Sequence, residues 1–153
     1  MKFHALFVLT ALCLLPGLTA SAQETGYYPK GGPDVAAENV SLIQLIANPK
    51  AYDQKVVRIV GYLHLEFEGD VLYLHREDFD YGLTENGIWI NLPKDITPAQ
   101  VKAINDRYVI CTGRFIAGGQ GHMDLNSGEM DNLTRIQIWP FGPKTGAGSG
   151  PAK

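Results

Sequence analysis

Cysteine is scarce in this sequence, with two among 153 residues. Two thiols are too few for the cross-linked framework of a small disulfide-rich protein. Cys13 lies in the leader segment described below, so the processed chain retains only Cys111 and no internal disulfide is expected. Cys111 follows the apolar run Tyr-Val-Ile. We expect a buried and unreactive thiol there, because reactive thiols need an electropositive, partly open site.

The sequence also lacks an excess of positive charge. Thirteen Lys+Arg face sixteen Asp+Glu, and the formal net charge is −3. Proteins that bind nucleic acids electrostatically are normally basic, so a nucleic-acid partner is not expected. Hydrophobic residues make up 45% of the chain, which is enough to bury the core of one ordinary domain.

Long hydrophobic runs are missing as well. The main apolar run, residues 5–15, is too short to cross a bilayer, which takes roughly 20 residues. Lys2 precedes this run, and the small residues Ala-Ser-Ala at 20–22 form the kind of site that a signal peptidase cleaves. We interpret residues 1–22 as a signal peptide. The expected location is therefore periplasmic or secreted, with no transmembrane segment after cleavage.

Both ends of the processed chain lack hydrophobic periodicity. Residues 23–39 mix Gly, Pro and Tyr, and residues 140–153 are rich in Gly and Pro. We expect a flexible N-terminal segment, in which Tyr27 and Tyr28 are candidates for docking on the domain, and a disordered C-terminal tail. The folded domain is expected to span residues 40–139.

Two helix starts carry complete capping signals. Ser41 is followed three residues later by Gln44, and Thr97 is followed by Gln100, so that each pair can form a capping box. Pro98 stands at the first position of the second helix, where its missing N–H costs nothing. The expected ends of the two helices are Asn48 and Asn105.

Five segments have the character of β-strands. The first alternates between apolar and polar residues, and Gly61 in its middle favours a bend. A tight turn at 68–70 makes a hairpin that would place His64 opposite Tyr73 or Leu74. An acidic loop is expected at residues 76–87 and a Gly-rich loop at 117–132. The predicted strands are residues 56–68, 71–75, 88–92, 108–115 and 133–139.

The order of these elements is three strands, a helix and two strands. This order predicts a mainly β fold, a five-stranded OB-fold-like Greek-key barrel with an N-terminal helix and a helix between strands three and four. Residues 55–63 and 107–115 share their apolar positions and a glycine, Gly61 and Gly113. The first and fourth strands pair in such a barrel and both bend, which explains the shared pattern.

Residues 40–139 resemble small exported bacterial OB-fold proteins of uncharacterised function. The resemblance rests on the runs SLIQLIANPKAYDQKVVRIVGYL, LYLHREDFDYGL and NGIWINL, and on the Gly-His-Met loop. It implies the fold and an exported location. It carries over no catalytic residues.

Histidines and carboxylates form the first candidate site. His75 and Asp78 lie three residues apart, and His64 is on the neighbouring strand. Imidazole and carboxylate groups are ligands for transition metals, yet no HxxxH or HExxH motif or cysteine pair is present. The alternative is a set of solvated residues at the barrel rim. The second candidate is the Gly-rich loop, where His122 and Asp124 lie among glycines that could bind an anion or simply connect two strands.

The third candidate is a platform of aromatic and arginine side chains on the outward face of the sheet. Such platforms stack on bases, sugars or peptide groups. For Trp89 and Tyr62, burial at the barrel end is an equally supported alternative to exposure. With the histidines of the two other candidates, the predicted ligand-binding residues are Arg58, Tyr62, Tyr73, His75, Trp89, Asn91, Arg114 and His122.

These observations favour an exported binding module that does not catalyse a reaction, with no catalytic residues predicted. Its expected partner is an envelope protein, a peptide or a glycan. The alternative is a metal-dependent hydrolase or metal-binding protein that uses His64, His75, Asp78 and His122. No cofactor is expected unless that metal is bound.

Overall fold

The computed structural model describes residues 26–27, 36–119 and 121–141. The signal peptide predicted at 1–22 and the tail beyond residue 141 lie outside them. Short 3₁₀ turns occur at Pro49–Ala51, Thr84–Asn86 and His122–Asp124. The strands and helices, in chain order, are β1 (Gly26–Tyr27), β2 (Glu38–Asn39), α1 (Leu42–Ala47), β3 (Val56–His64), β4 (Val71–Tyr73), α2 (Arg76–Asp80), β5 (Gly87–Ile90), α3 (Pro98–Ile104), β6 (Arg107–Ile116) and β7 (Glu129–Ile138).

Strands β3 to β7 form a closed five-stranded barrel. β3 pairs antiparallel with β4 and β6, β4 pairs antiparallel with β5, β5 runs parallel to β7, and β7 returns antiparallel to β6. Going round the barrel, the order β3-β4-β5-β7-β6 is the Greek-key order of an OB-fold. The predicted fold class is therefore confirmed. Helix α1 precedes the barrel, and α3 lies between its third and fourth strands.

The two predicted capping boxes are present. Ser41 Oγ accepts a hydrogen bond from the Gln44 N–H at 3.2 Å, and Gln44 Oε1 accepts from the Ser41 N–H at 3.0 Å. Thr97 and Gln100 repeat this arrangement at the start of α3. These reciprocal bonds satisfy backbone N–H groups that a helix start otherwise leaves without partners. Both helices can therefore begin sharply beside the barrel.

The barrel interior is filled by the alternate apolar residues of its strands. In β3, Val57, Ile59 and Leu63 are fully buried, as the period of two predicts. The alternation ends sooner than expected, because β3 stops at His64 and Phe67 is 90% exposed in the following turn. Among the described residues, Phe115 on β6 is the largest side chain that is fully buried.

The register predicted for the hairpin of β3 and β4 is wrong. His64 lies opposite Val71, and Tyr73 lies opposite Tyr62. The reason is the turn, in which the Gly69 N–H donates to the Glu66 carbonyl at 3.1 Å. The turn is therefore centred on residues 67 and 68 and not on the expected 68–70, which moves every cross-strand pair.

Two loop predictions also need correction. The segment 76–87, expected to be an acidic loop, contains α2 and a 3₁₀ turn. A five-residue helix is too short to show apolar periodicity. Its own Asp78 fixes it to the flanking chain by accepting hydrogen bonds from the His75 N–H before the helix and from Asn86 Nδ2 after it, each at 2.7 Å. Strand β7 begins at Glu129, so the Gly-rich loop is shorter than the predicted 117–132.

The N-terminal segment predicted to be flexible contributes two short strands. β1 pairs antiparallel with the C-terminal half of β7, and β2 runs parallel to the start of β3. Tyr27 is buried and its hydroxyl donates to Asp95 Oδ1 at 2.9 Å. For these residues the expectation of flexibility is wrong, because hydrogen bonds to strand edges hold them in place. Residues 28–35, which include Tyr28, lie outside the described residues.

Candidate functional site

The predicted platform of aromatic and arginine side chains is not a single exposed surface. Tyr62 and Tyr73 are only 4% and 6% exposed. Phe79 of α2 packs over them, with ring centroids 6.3 Å and 5.9 Å away. Burial raises the pKa of both tyrosines. Exposure of Tyr73 is thus a wrong expectation, and of the two alternatives left open for Tyr62 the structure shows burial. The physical reason is the unexpected helix α2, which covers both rings on the outside of the barrel.

Trp89 of the same predicted set contacts the protein's own Gly-rich loop, and Asn91 contacts Glu129 at the start of β7. Gly121 lies so close to the indole that a Cβ there would be 2.5 Å from a ring atom, and its φ of 68° suits glycine. Trp89 Nε1 donates to Asn91 Oδ1 at 3.2 Å, and Asn91 Nδ2 donates to Glu129. Trp89 is half-buried by these contacts.

The two predicted arginines lie apart along the barrel wall. Arg114 forms a two-bond ion pair with Asp131, at 2.8 Å and 2.5 Å, and this pair raises the pKa of the guanidinium. Arg58 Nε donates to Thr112 Oγ1 at 3.4 Å. Because Arg114 lies opposite Val56, at the far end of β3 from Tyr62, Arg114 cannot act with the tyrosines as one platform.

The candidate metal ligands have separate carboxylate partners. His64 Nδ1 lies 2.7 Å from Asp106 Oδ1, His75 Nδ1 lies 3.5 Å from Asp78 Oδ2, and His122 Nε2 lies 3.7 Å from Glu68 Oε2. Across residues 26–27, 36–119 and 121–141, no three His, Cys, Asp or Glu side chains come together as a group that could hold a metal ion. The structure therefore does not bring His64, His75, Asp78 and His122 into one site.

An open groove lies instead on the outer face of β3 and β6. Two adjoining cavities of about 440 Å³ and 840 Å³ share Val60 and Trp139. The floor follows the strand register, in which Val60 lies opposite Ile110 and Tyr62 opposite Tyr108. The remaining lining residues are Asn39, Val40, Ser41, Arg58, Leu74, His75, Arg76, Asp106, Arg107, Ile138 and Phe141.

Besides the buried Tyr62, three aromatic side chains line this groove at its wider end and are at least partly exposed. Tyr108 is 40% exposed, Phe141 is 71% exposed and Trp139 is half-buried. The Trp139 and Phe141 rings meet edge to face with centroids 5.1 Å apart. The Trp139 N–H donates to the Tyr108 carbonyl at 2.8 Å, which fixes the wall of the groove to its floor. Exposed aromatic rings held in this way offer apolar area at a low entropic cost.

The charge of the groove is opposite in sign to that of the whole chain. Among the described lining residues are Arg58, Arg76 and Arg107, against the single carboxylate of Asp106. Asp106 already accepts a hydrogen bond from the Tyr62 hydroxyl at 3.2 Å and contacts His64. The formal net charge of the chain is −3. The groove is therefore a local positive region on an acidic protein, and it favours anionic ligands.

The sequence reasoning missed most of this groove, although a signal was present. Val60 is an apolar residue on the outward face of β3, and Ile110 is its outward-facing partner on β6. An apolar pair at matching outward positions of two paired strands predicts an exposed apolar patch, and such patches are typical of binding sites. Of the eight predicted ligand-binding residues, Arg58, Tyr62 and His75 line the groove.

Cys111 has no part in any such site. It is fully buried in the barrel, and burial raises its pKa to about 12. Its Sγ lies 3.5 Å from the Met130 sulfur. The prediction of a buried thiol is confirmed. A thiol with so little thiolate at neutral pH is expected to be a poor nucleophile and metal ligand.

No protein-family model matches this chain, and no curated protein matches its sequence. Among the described residues, no helix has the length and apolar character needed to cross a membrane. The geometry of the groove is therefore the basis for a functional assignment.

Proposed function

We propose that this protein is an exported, non-catalytic binding module, akin to the small bacterial OB-fold proteins it resembles. Its ligand is an extended polypeptide segment with acidic and apolar side chains. The observation that carries the proposal is the groove on β3 and β6, in which exposed aromatic rings and three arginines lie along one continuous surface.

The apolar part of the groove supports a ligand with hydrophobic side chains. Val60, Ile110 and Ile138 are all partly exposed along its length, beside the rings of Trp139 and Phe141. Covering such a surface removes apolar area from water, at about 25 cal/mol per Å². Aromatic side chains are enriched among the residues that contribute most to protein interfaces.

The polar part supports a polypeptide over a glycan. Sugar hydroxyls need several hydrogen-bond acceptors as well as donors. In the described lining, the one carboxylate, Asp106, is already engaged by Tyr62 and His64, and Ser41 Oγ caps α1. Arginine side chains instead donate in pairs to carboxylates. Arg107 is exposed at the groove. Arg76 is exposed beside it, and its Nε lies 3.4 Å from Asp80 Oδ2.

A fluorescence titration tests the ligand class. Trp139 becomes the single tryptophan in a Trp89→Phe background, since the chain has two. The probes are a peptide of alternating Glu and Leu and its counterpart of alternating Lys and Leu. We expect the Glu-Leu peptide to change the Trp139 emission, with binding weakened about ten-fold by Phe141→Ser.

Phe67→Ser is the matched control, because Phe67 is an even more exposed phenylalanine in the turn between β3 and β4. It should leave binding of the Glu-Leu peptide unchanged. Equal responses to both peptides, or equal effects of the two serine variants, would contradict the proposal. Stoichiometric zinc or copper in tag-free protein, lost on His75→Ala, would instead support the metal-binding alternative.

The exported location has its own test. Intact-mass analysis of the protein from the envelope or medium should show a chain that begins at Gln23. A full-length chain confined to the cytosol would contradict export without affecting the groove.

A further inference from the structure

A second exposed surface lies where two loops meet. We define the loop-tip surface as residues Phe67 and Glu68 of the turn between β3 and β4, together with residues 122–124 of the loop between β6 and β7. His122 Nε2 lies 3.7 Å from Glu68 Oε2, so the tips of these loops touch. Phe67 and Met123 are the sequence neighbours of this pair, one on each loop.

The apolar side chains of this surface are unusually exposed. Phe67 is 90% exposed and Met123 is 74% exposed. The backbone turns tightly at both tips, where Glu68, Met123 and Asp124 have left-handed φ values of 58°, 59° and 57°. Few residues other than glycine adopt this conformation. Exposed phenylalanine and methionine side chains on two loops that touch are typical of a protein interaction surface.

The charge of the two loops decides what kind of partner fits. Residues 65–70 and 117–128 contain four acidic residues and no Lys or Arg. Glu66 and Glu68 have side chains 61% and 56% exposed. An anionic bilayer would be repelled by these carboxylates. A polypeptide with cationic residues beside an apolar side chain would be attracted to them.

We infer that the loop-tip surface docks a basic polypeptide segment whose apolar side chain contacts Phe67 and Met123 between flanking Lys or Arg residues. This surface is separate from the groove on β3 and β6, which favours acidic ligands. Two side chains and a charged rim make a small interface, so the complex is weak and transient. Exposed charges are screened by salt, so its affinity falls as ionic strength rises.

Fluorescence anisotropy with the labelled Lys-Leu peptide tests the inference. The full chain should bind this peptide, and Phe67→Ser and Met123→Ser should each weaken binding about five- to ten-fold. Both side chains are exposed, so the variants should melt at the temperature of the parent. Phe141→Ser is the matched control in the groove, and Tyr81→Ser is the control for an exposed ring elsewhere, being 80% exposed. Both controls should bind as the parent does.

Three results would overturn the inference. One is the absence of binding to the Lys-Leu peptide at low salt. Another is binding that Phe67→Ser and Met123→Ser leave unchanged, because attraction by net charge alone would then explain it. The third is stronger binding to vesicles of anionic phospholipid that these variants abolish, which would identify a membrane as the partner. None of these outcomes depends on the Trp139 titration, which reads the groove alone.

Discussion

His64 Nδ1 lies 2.7 Å from Asp106 Oδ1, and this contact joins three elements of the fold. His64 ends β3, and Asp106 lies in the turn between α3 and β6. The His64 ring also stacks on Phe79 of α2 with centroids 3.8 Å apart. Asp106 accepts a further hydrogen bond from the Tyr62 hydroxyl. The hydrogen bond from His64 is the main cause that lowers the pKa of Asp106 from its ordinary value of 3.8.

The lowered pKa predicts a pH-dependent contribution to stability. A carboxyl whose pKa is lower in the folded state stabilises the protein above pH 3.8, and the contribution is lost as the pH falls through the folded-state value. We expect Asp106→Asn to lower the free energy of unfolding by about 0.5–1 kcal/mol at pH 6, since the group is partly screened by solvent. Urea titrations from pH 6 to pH 2.5 should show this difference shrink as the pH falls below 3.8.

Asp124→Asn is the matched control for that experiment. Asp124 has a φ of 57° against 56° for Asp106, and asparagine tolerates this conformation at both positions. At pH 6, Asp124→Asn should change the free energy of unfolding by less than half as much as Asp106→Asn does. A difference for Asp106→Asn that is as large at pH 2.5 as at pH 6 would contradict the role of the ionised carboxylate.

The packing around Gly61 leaves no room for a side chain at this position of β3. A Cβ at this position would lie 2.6 Å from the Tyr73 carbonyl oxygen and 2.9 Å from side-chain carbons of Leu42 and Leu72. Gly61→Ala should therefore lower the free energy of unfolding by about 1–3 kcal/mol, because α1 and β4 must move away from β3 to make room for the methyl group. Thermal unfolding followed by circular dichroism measures the effect. Gly118→Ala has no heavy atom within 4 Å and should be nearly neutral, so equal losses would refute the explanation.

The Cys111 thiol should be protected from chemical modification while the protein is folded. Its pKa of about 12 leaves almost no thiolate at pH 8, and it is fully buried. Iodoacetamide should label it only after denaturation, as peptide mass spectrometry would show. Rapid labelling of Cys111 in native protein would mean that the barrel opens easily at β6.

Tyr27 tests whether the N-terminal segment is part of the folded domain. The side chain is 4% exposed and reaches Asp95, and burial raises its pKa. We expect Tyr27→Ala to cost about 3–5 kcal/mol, as loss of a buried aromatic ring does, and Tyr27→Phe about 1 kcal/mol. Denaturant titrations of the two variants give both values. No loss in either variant would restore the original expectation of a flexible segment.

The parts of the fold that are set by neighbouring residues were predictable. The boxes at Ser41 and Thr97 need only side chains three residues apart. The alternation of β3 needs only a period of two along the chain, and it correctly placed Val57 and Ile59 inside. From these local patterns the order of strands and helices, and with it the barrel, followed.

The candidate site was harder to predict, because it depends on residues distant in sequence. Tyr62 has the outward position of an exposed residue in β3, but Phe79 covers it from a helix too short to be recognised. Trp139 and Val60 line one groove although almost eighty residues separate them in sequence. Such contacts are set by the register of β3 on β6 and by where the chain leaves β7.

The amino-acid sequence by itself determined the barrel class, the helix starts, the buried thiol of Cys111 and the acidic character of the protein, because each follows from local spacing or from composition. Tertiary structure decided which outward residues remain exposed. Closing β3 to β7 into a barrel brings Val60, Ile110 and Trp139 onto one face, while α2 covers Tyr62 and Tyr73. Exposure is a property of what packs nearby, and no residue carries that information alone.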